Sequence, residues 1–152
     1  MWARLTRRRV CVFCDRSRLE TNGIVFEDDL VMAFRDKNPR ASVHLLVVPK
    51  VHVNNTTKLT SQDAALVEHM WKVGKDALNQ ECARLEIKCA TPVFGFHQPP
   101  FNSVEHLHLH CLAPPYEPAW NAYRYMQSKL HHFISVETLL ERLQSIPSHD
   151  NP

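Results

Sequence analysis

Three histidines alternate with apolar residues in one short stretch of the chain: His106, His108 and His110. Side chains alternate between the two faces of a β-strand, so a strand over Val104–Leu112 places the three imidazoles on one face and apolar side chains on the other. Successive histidines are then about 6.8 Å apart along the backbone, close enough for their rings to converge on one small group. Polar residues rarely group on a sheet face without a chemical reason. The pattern therefore predicts a reactive site.

Two kinds of chemistry fit such a histidine strand. His-x-His on a strand is a common way to hold zinc together with a water molecule for hydrolysis. Alternatively, imidazole itself is the nucleophile, because an unperturbed pKa of about 6.5 leaves it mostly neutral at pH 7 with a free lone pair. Attack on phosphorus then forms a phosphorylated histidine, and the neighbouring imidazoles stabilise the equatorial oxygens. The residue types alone leave both alternatives open.

A second group of candidate ligands is the pair Cys11-x-x-Cys14. Two cysteines at this spacing supply half of a tetrahedral zinc site, and the alternative interpretation is two buried thiols. The chain has five cysteines, an odd number, and no apolar signal-peptide stretch follows the first arginines. We therefore expect thiols or metal ligands and not a disulfide framework.

Hydrophobic patterning predicts the strands that must position these residues. Runs rich in Val, Ile and Phe flank the turn-prone pair Asp28 and Asp29 and predict a hairpin. A near-continuous apolar run further along predicts a central, buried strand that ends at Pro49. The predicted strands before the histidine strand are Ile24–Glu27, Leu30–Arg35, His44–Val48 and Pro92–His97.

Two segments have helical periodicity. One amphipathic helix is predicted over residues 61–81, with Thr60 or Ser61 as its cap and Asp63 in its first turn. A second helix closes the chain, with Ser135 as a candidate cap and an apolar stripe at Val136, Leu139, Leu140 and Leu143. Neighbouring strands with one long helix between them predict the α+β class, with a mainly antiparallel sheet covered by helices.

Length and composition limit the function classes. The 152 residues suit a single domain, and 44% hydrophobic with 22% charged residues is typical of globular proteins. We expect a flexible basic tail over residues 1–10, one domain over 11–145 that includes the C-terminal helix, and a disordered tail over 146–152. A net charge of +2 gives no broad basic face for nucleic acid.

The location of the protein is predicted from the absence of targeting patterns. No apolar run approaches the roughly 20 residues of a membrane-spanning helix, so we expect no membrane partner. A cytoplasmic or nuclear location follows as an expectation. The arginines of the first nine residues suggest two alternatives, contact with phosphates or the start of a mitochondrial transit peptide.

The histidine strand and its surroundings resemble a known family. The run His106-Leu-His-Leu-His-Cys-Leu112 is similar at all seven positions to the histidine-triad signature, His-φ-His-φ-His-φ-φ with φ apolar. Three further segments agree in order: Cys11-Val-Phe-Cys14, His44-Leu-Leu-Val-Val-Pro-Lys-Val-His52 and Asn102-Ser103-Val104. The resemblance covers about residues 11 to 115. Gly95 to Phe101 and the C-terminal helix look like the third branch of histidine-triad nucleotide-binding proteins, which is related to aprataxin.

The resemblance implies a role for each matching residue. His108 is the nucleophile that forms a nucleotidyl-histidine, and His110 and His44 complete the phosphate pocket. Ser103 helps to protonate the leaving group. Asp36, Lys37 and Asn102 complete the nucleotide-binding set, with Asp36 and Lys37 at the ribose and base edge. The four ligands of a structural zinc are Cys11, Cys14, His52 and His106, and no catalytic cofactor is expected.

The same resemblance implies the reaction and the partners. Adenosine 5′-phosphoramidates, and by extension aminoacyl adenylates, are the expected substrates, with release of AMP from a purine nucleotide conjugate. Relatives that transfer uridylyl groups have glutamine as the third triad residue, so His110 favours hydrolysis. A homodimer is also expected. Gly95 stands where the best-known branch has an asparagine, and Gln98–Phe101 replaces a glycine-rich loop, so the leaving-group preference is left open.

Two other functions are compatible with these residues. Aprataxin-like removal of adenylate from DNA 5′ ends would place the arginine-rich tail on DNA, although no zinc-finger pattern follows His110. A nucleotide-binding regulatory scaffold with incidental catalysis is the third hypothesis, and the intact triad argues against it. Nucleic acid is therefore a possible partner that the sequence does not favour.

Overall fold

The computed structural model describes residues 10–128 and 132–146 of the chain. Within these ranges six strands form one antiparallel sheet in the order β1-β2-β3-β5-β4-β6. The strands are β1 (Ile24–Glu27), β2 (Val31–Arg35), β3 (Ala41–Pro49), β4 (Val93–His97), β5 (Leu109–Tyr116) and β6 (Phe133–Ser135). The α-helices are α1 (Arg16–Asn22), α2 (Ala64–Arg84) and α3 (Val136–Ser145). The predicted α+β class is confirmed, and the two predicted tails lie outside the described residues except for Val10 and Ile146.

Helix α2 packs across one face of the sheet, where the main hydrophobic core forms. Alternate residues of the two central strands, such as Leu45 and Leu109, meet Met70 and Leu78 of the helix, and all four side chains are fully buried. Burial of each such side chain is worth about 1.5–3 kcal/mol relative to exposure. Helix α3 completes this core with its predicted apolar stripe. Among the described residues, no helix is both long and apolar enough to span a bilayer.

The opposite face of the sheet carries the imidazoles. His44 of β3 and His110 of β5 point to this side because their neighbours in the chain point into the core. Helix α1 and its preceding loop cover one end of the face through Leu19, and a 3-10 segment, Ala119–Tyr125, covers the other through Tyr125. The histidines therefore lie between two short coverings and opposite the long helix.

The histidine strand begins later than predicted. Strand β5 starts at Leu109, so His106 and His108 precede it, and it continues to Tyr116 instead of ending at Leu112. Pairing with β3 stops at Leu109. Before it, the Leu107 N–H donates to the Val53 carbonyl at 2.6 Å, and the Pro49 carbonyl accepts from the His106 ring at 2.9 Å. The predicted alternation of faces nevertheless holds: Leu107, Leu109 and Cys111 all pack in the main core.

The other element boundaries agree with the periodicity to within three residues, and the largest differences are the start of β3, at Ala41 instead of His44, and the end of α2. Strands β1, β2 and β4 and the Ser135 cap of α3 are confirmed. The long helix starts with a 3-10 turn, Ser61–Asp63, and runs three residues beyond the predicted end. The Asp63 carboxylate accepts a hydrogen bond from the Thr60 N–H at 2.7 Å, which identifies Thr60 as the cap.

Candidate active site

Four histidines form the polar centre of the site, and three of them make a continuous chain of hydrogen bonds. His44 Nε2 lies 2.9 Å from His110 Nδ1, and His110 Nε2 lies 3.1 Å from His97 Nδ1. His97 had no assigned role in the sequence interpretation. It lies on β4 next to β5, and its position before the proline loop was the only signal that pointed to it.

Backbone groups at the two ends decide where the protons lie. The Arg40 N–H donates to His44 Nδ1 at 3.2 Å, so His44 carries its proton on Nε2. At the other end the Arg124 carbonyl accepts from His97 Nε2 at 2.7 Å, which leaves a lone pair on His97 Nδ1. His110 therefore accepts on Nδ1 and donates from Nε2. All three rings are neutral, and each donates its N–H in the same direction along the chain of hydrogen bonds, from His44 toward the Arg124 carbonyl.

His108 is held in the tautomer that a nucleophile needs. Its Nδ1–H donates to the carbonyl of His106 at 2.7 Å, so the lone pair is on Nε2. Its ring lies against that of His110, with 5.0 Å between the ring centroids. Among the described residues Nε2 has no protein hydrogen-bond partner in the structure. This nitrogen is the free nucleophilic atom of the site.

Burial keeps these imidazoles neutral. It lowers the pKa of His108 to about 4 and that of His44 to about 3, because the charged form would lose its hydration. The same cause moves the pKa of His97 down and that of His110 well below the ordinary value. At pH 7 the four rings are therefore lone-pair donors and N–H donors and carry no positive charge.

A cavity of about 460 Å³ opens in front of His108. Its walls are mostly apolar, and its polar rim contains Asp36, Lys37 and Asn38 after β2. The apolar walls come from Phe13, Leu19, Phe34 and Leu46. An apolar cavity with polar groups at its rim suits a purine base with its ribose. We call it the nucleoside cavity.

The four predicted zinc ligands converge on one point. His106 donates from Nε2 to Pro49 O and His52 Nε2 lies 2.9 Å from Asn54 Oδ1, so both rings turn a lone pair on Nδ1 toward each other at 3.1 Å. Cys14 Sγ lies 3.4 Å from His52 Nδ1 and 3.5 Å from His106 Nδ1, and Cys11 Sγ lies 3.5 Å from His106 Nδ1. A tetrahedral zinc at usual bond lengths requires about 3.3 Å between two nitrogens and about 3.5 Å between nitrogen and sulfur. The donor set fits zinc closely.

This arrangement separates the members of the triad. Within the described ranges, His106 belongs to the Cys2His2 cluster, whereas His108 belongs to no group of possible metal ligands. Asp36, His44 and His110 form a second such group, but the proton shared between the two imidazoles already explains their approach. The open catalytic zinc site that the His-x-His pattern also suggested would need His106 and His108 on one ion, and their lone pairs do not converge.

The structure also locates the remaining predicted residues. Ser103 is exposed and lines the nucleoside cavity beside His110. The Asp36 carboxylate lies on the same rim, 3.4 Å from His44 Nε2. Asn102 is not brought to the cavity, because its amide donates to Glu105 Oε1 at 2.6 Å. Its assigned nucleotide contact stays a prediction.

Comparison with known proteins gives a consistent result. A family model described as "Scavenger mRNA decapping enzyme C-term binding" matches residues 10–126. The chain is 42% identical over 144 residues to "Bifunctional adenosine 5'-phosphosulfate phosphorylase/adenylylsulfatase HINT4" of Arabidopsis thaliana, with coverage of 92% of this chain and 95% of the relative. It is 34% identical over 139 residues to "Adenosine 5'-monophosphoramidase HINT3" of Xenopus tropicalis, covering 89% and 88%.

A solved structure agrees with these sequence matches. A HIT family protein from Bacillus anthracis superposes with a TM-score of 0.61 at 25% identity, covering 88% of this chain and 92% of that chain. The sequence relatives and the solved structure therefore indicate the same family.

Proposed function

Because this chain belongs to the histidine-triad family, we propose that it hydrolyses conjugates of AMP, among them adenosine 5′-phosphoramidates, through a nucleotidyl intermediate on His108. The activities for which its relatives are named identify the chain as a nucleotide hydrolase. The observation that carries the mechanism is the tautomer of His108, whose Nε2 lone pair faces the nucleoside cavity because Nδ1–H is bound to the His106 carbonyl.

The proposed reaction has two displacements at the α-phosphorus. The His108 Nε2 lone pair forms a bond to phosphorus, and the bond from phosphorus to the leaving group breaks with its electron pair on that group. The Ser103 hydroxyl, at the cavity wall, passes a proton from solvent to a leaving amine. Water then attacks phosphorus and loses a proton to solvent, the N–P bond breaks with its electron pair returning to Nε2, and AMP leaves.

His110 is the proposed stabiliser of the phosphoryl oxygens. It is the middle member of the histidine chain, between His44 and His97. As negative charge grows on the equatorial oxygens, its Nε2–H can be shared between His97 and a phosphoryl oxygen, while the bond to His44 keeps the ring in place. A donor fixed in this way needs little reorganisation in the transition state, which is the main contribution expected in phosphoryl transfer.

Two substrate classes have support from relatives. One relative is named for adenosine 5′-monophosphoramidase activity and the other for action on adenosine 5′-phosphosulfate. Both compounds carry adenosine and an α-phosphate and differ only in the leaving group. The same attack by His108 serves both, and we propose that this chain accepts either. Aminoacyl adenylates, which share the adenylate half, stay a prediction.

We further propose a structural zinc held by Cys11, Cys14, His52 and His106. The supporting observation is the pair of imidazole lone pairs 3.1 Å apart with two sulfur atoms around them. Such an arrangement is repulsive until a cation lies between the donors. Bound zinc would fix the N-terminal segment to the end of β3 and would take no part in the displacement.

A homodimer stays a prediction from the family resemblance. Strand β6 pairs with the outer side of β4, so that side of β4 is already occupied within the chain. A dimer would have to use another surface, and sedimentation at several protein concentrations measures it. A cytoplasmic or nuclear location also stays a prediction.

One experiment tests the proposed function. The protein is incubated separately with an adenosine phosphoramidate, adenosine 5′-phosphosulfate and adenylated nicked DNA, and the release of AMP is measured for the wild type and for His108→Ala. We expect AMP from the first two substrates and a loss of at least about a thousandfold in the variant. Cleavage confined to the DNA would favour the aprataxin-like alternative. No cleavage at all would favour the scaffold.

A further inference from the structure

A second cavity, of about 370 Å³, adjoins the nucleoside cavity and shares His110 with it. Ser103, Asp36 and Asn38 line both cavities together with His110, so these residues form the boundary between them. His108 lines only the nucleoside cavity of the two. A nucleotide whose α-phosphate lies at this boundary would therefore extend its non-nucleoside part into the second cavity.

The second cavity has an excess of positive charge. Two arginines line it, Arg40 after β2 and Arg124 of the 3-10 segment, against a single carboxylate, that of Asp36. The Asp36 carboxylate is already engaged by the Asn38 N–H at 2.7 Å and lies 3.4 Å from His44. Neither arginine forms an ion pair with an acidic side chain in the part of the chain that the structure describes. The Arg124 guanidinium lies instead over the ring of Trp120, 5.5 Å from the ring centre.

The geometry of displacement assigns a use to this cavity. The attacking and leaving atoms lie roughly in line through phosphorus, on opposite sides. With His108 Nε2 attacking from the nucleoside side, the leaving group must depart away from His108. By microscopic reversibility, the acceptor that later attacks the nucleotidyl-histidine enters from the same side.

We propose that this second cavity is a leaving-group site that selects anionic leaving groups, with Arg40 and Arg124 as its specificity-determining residues. The inference rests on the proposed function and narrows it: mixed anhydrides of AMP whose second half is an oxyanion, such as a sulfate, are preferred over uncharged amides. Guanidinium groups suit this task because they bind tetrahedral oxyanions in a bidentate manner. His97 and His132 add imidazole surface to the same walls.

Specificity is tested by comparing two substrates that differ only in the leaving group. The value of kcat/KM is measured for adenosine 5′-phosphosulfate and for adenosine 5′-phosphoramidate, with the wild type, Arg124→Gln and Arg40→Gln. We expect each substitution to lower the ratio of phosphosulfate to phosphoramidate by about tenfold. The matched control is Lys75→Gln, which removes a cation 4.2 Å from the ring centre of Trp71 but lines neither cavity. It should leave the ratio as it is.

A binding measurement makes the test independent of turnover. Inorganic sulfate is titrated into the AMP-saturated protein by calorimetry at constant ionic strength, and we expect binding that weakens about tenfold in Arg124→Gln. Cleavage of both substrates with an unchanged ratio in both arginine variants would overturn the leaving-group assignment and leave the proposed function intact. If neither substrate is cleaved, the proposed function fails, and the sulfate titration alone tests the second cavity. Sulfate binding that depends on the arginines then supports an anion site there. The absence of such binding overturns the anion site.

Discussion

At the scale of single residues, the direction of hydrogen bonding determines the chemistry. Histidines of similar burial have different roles because different backbone groups fix their protons. The His106 carbonyl leaves the Nε2 lone pair of His108 free, whereas the Pro49 carbonyl leaves the Nδ1 lone pair of His106 free for a metal. Two backbone carbonyls thus give the proposed nucleophile and the proposed zinc ligand different roles, although the two histidines are only two positions apart in the sequence.

His97 provides a direct test of the histidine chain. His97→Ala removes the acceptor for His110 Nε2–H, and we expect kcat to fall about tenfold since one hydrogen bond that orients His110 is lost. His97→Asn keeps an acceptor near the position of Nδ1 and should retain most of the activity. The measurement is kcat and KM for the phosphoramidate in both variants. Equal losses in the two would mean that His97 acts by packing alone.

Much of the candidate site was predictable at this scale, and the rest was not for identifiable reasons. Alternation along the chain and the family resemblance brought together His44, His108, His110 and the four cluster residues as expected. His97 has no motif of its own, because its contact with His110 arises from the pairing of two strands. The turn of Asn102 toward Glu105 depends on local loop geometry that no spacing encodes.

At the scale of elements, the edge strand β6 explains an unusual residue in the site. Gly95 of β4 lies opposite His110 and Ser135 in the sheet. A Cβ at this position would lie 2.5 Å from both the Ile134 carbonyl and the Phe133 ring. The glycine therefore makes room for the edge strand, and Phe133 in turn contacts His97 at 5.3 Å between ring centroids.

We expect Gly95→Ala to destabilise the protein by about 1–3 kcal/mol, the usual cost of forcing an extra methyl group into a packed position. Urea unfolding monitored by circular dichroism gives the free energy of unfolding. Pairing the change with Phe133→Ala should recover part of the loss, because one of the two clashing groups is then removed. If Gly95→Ala unfolds at the same urea concentration as the wild type, β6 does not pack as described.

The predicted elements were those with long or regular patterns. Helix α2 was identified because its apolar residues recur at helical spacing over more than five turns. Helix α1 has seven residues with one buried side chain, Leu19, and β6 has three residues, so neither has enough periodicity to be recognised. The predicted start of β5 was wrong because pairing with β3 stops at Leu109. The preceding Leu107 N–H donates to the Val53 carbonyl, a loop contact that the alternation of residues does not reveal.

At the scale of the whole molecule, the cysteine cluster and the nucleoside cavity are connected through one loop. Phe13 lies between the two cysteines in the chain, and its ring packs against those of His108 and Phe34, at 5.2 Å and 5.4 Å between centroids. A metal that fixes Cys11 and Cys14 therefore also holds a wall of the cavity in place. Zinc would support nucleotide binding from a distance without touching the substrate.

We expect about one zinc per chain in protein purified without chelators, and its loss in Cys14→Ser. The same variant should bind AMP severalfold more weakly because Phe13 is released. Metal analysis and AMP titration check both statements, with Cys89→Ser as the control outside the cluster. A zinc content near zero in the wild type would mean that Cys11 and Cys14 are packing residues. Unchanged AMP binding in zinc-free protein would mean that the cysteine cluster does not influence the nucleoside cavity.

The central claim is that His108 becomes covalently attached to the nucleotide. The most direct measurement is mass spectrometry of the protein after a short reaction with adenosine phosphoramidate, quenched with alkali because phosphorylated histidine is unstable in acid. In His110→Asn, where breakdown of the intermediate is slowed, we predict an added adenylate on the peptide that contains His108 and none when His108→Ala is combined with it. AMP release by His108→Ala at the wild-type rate, with no adduct on any histidine of the parent protein, would contradict the account.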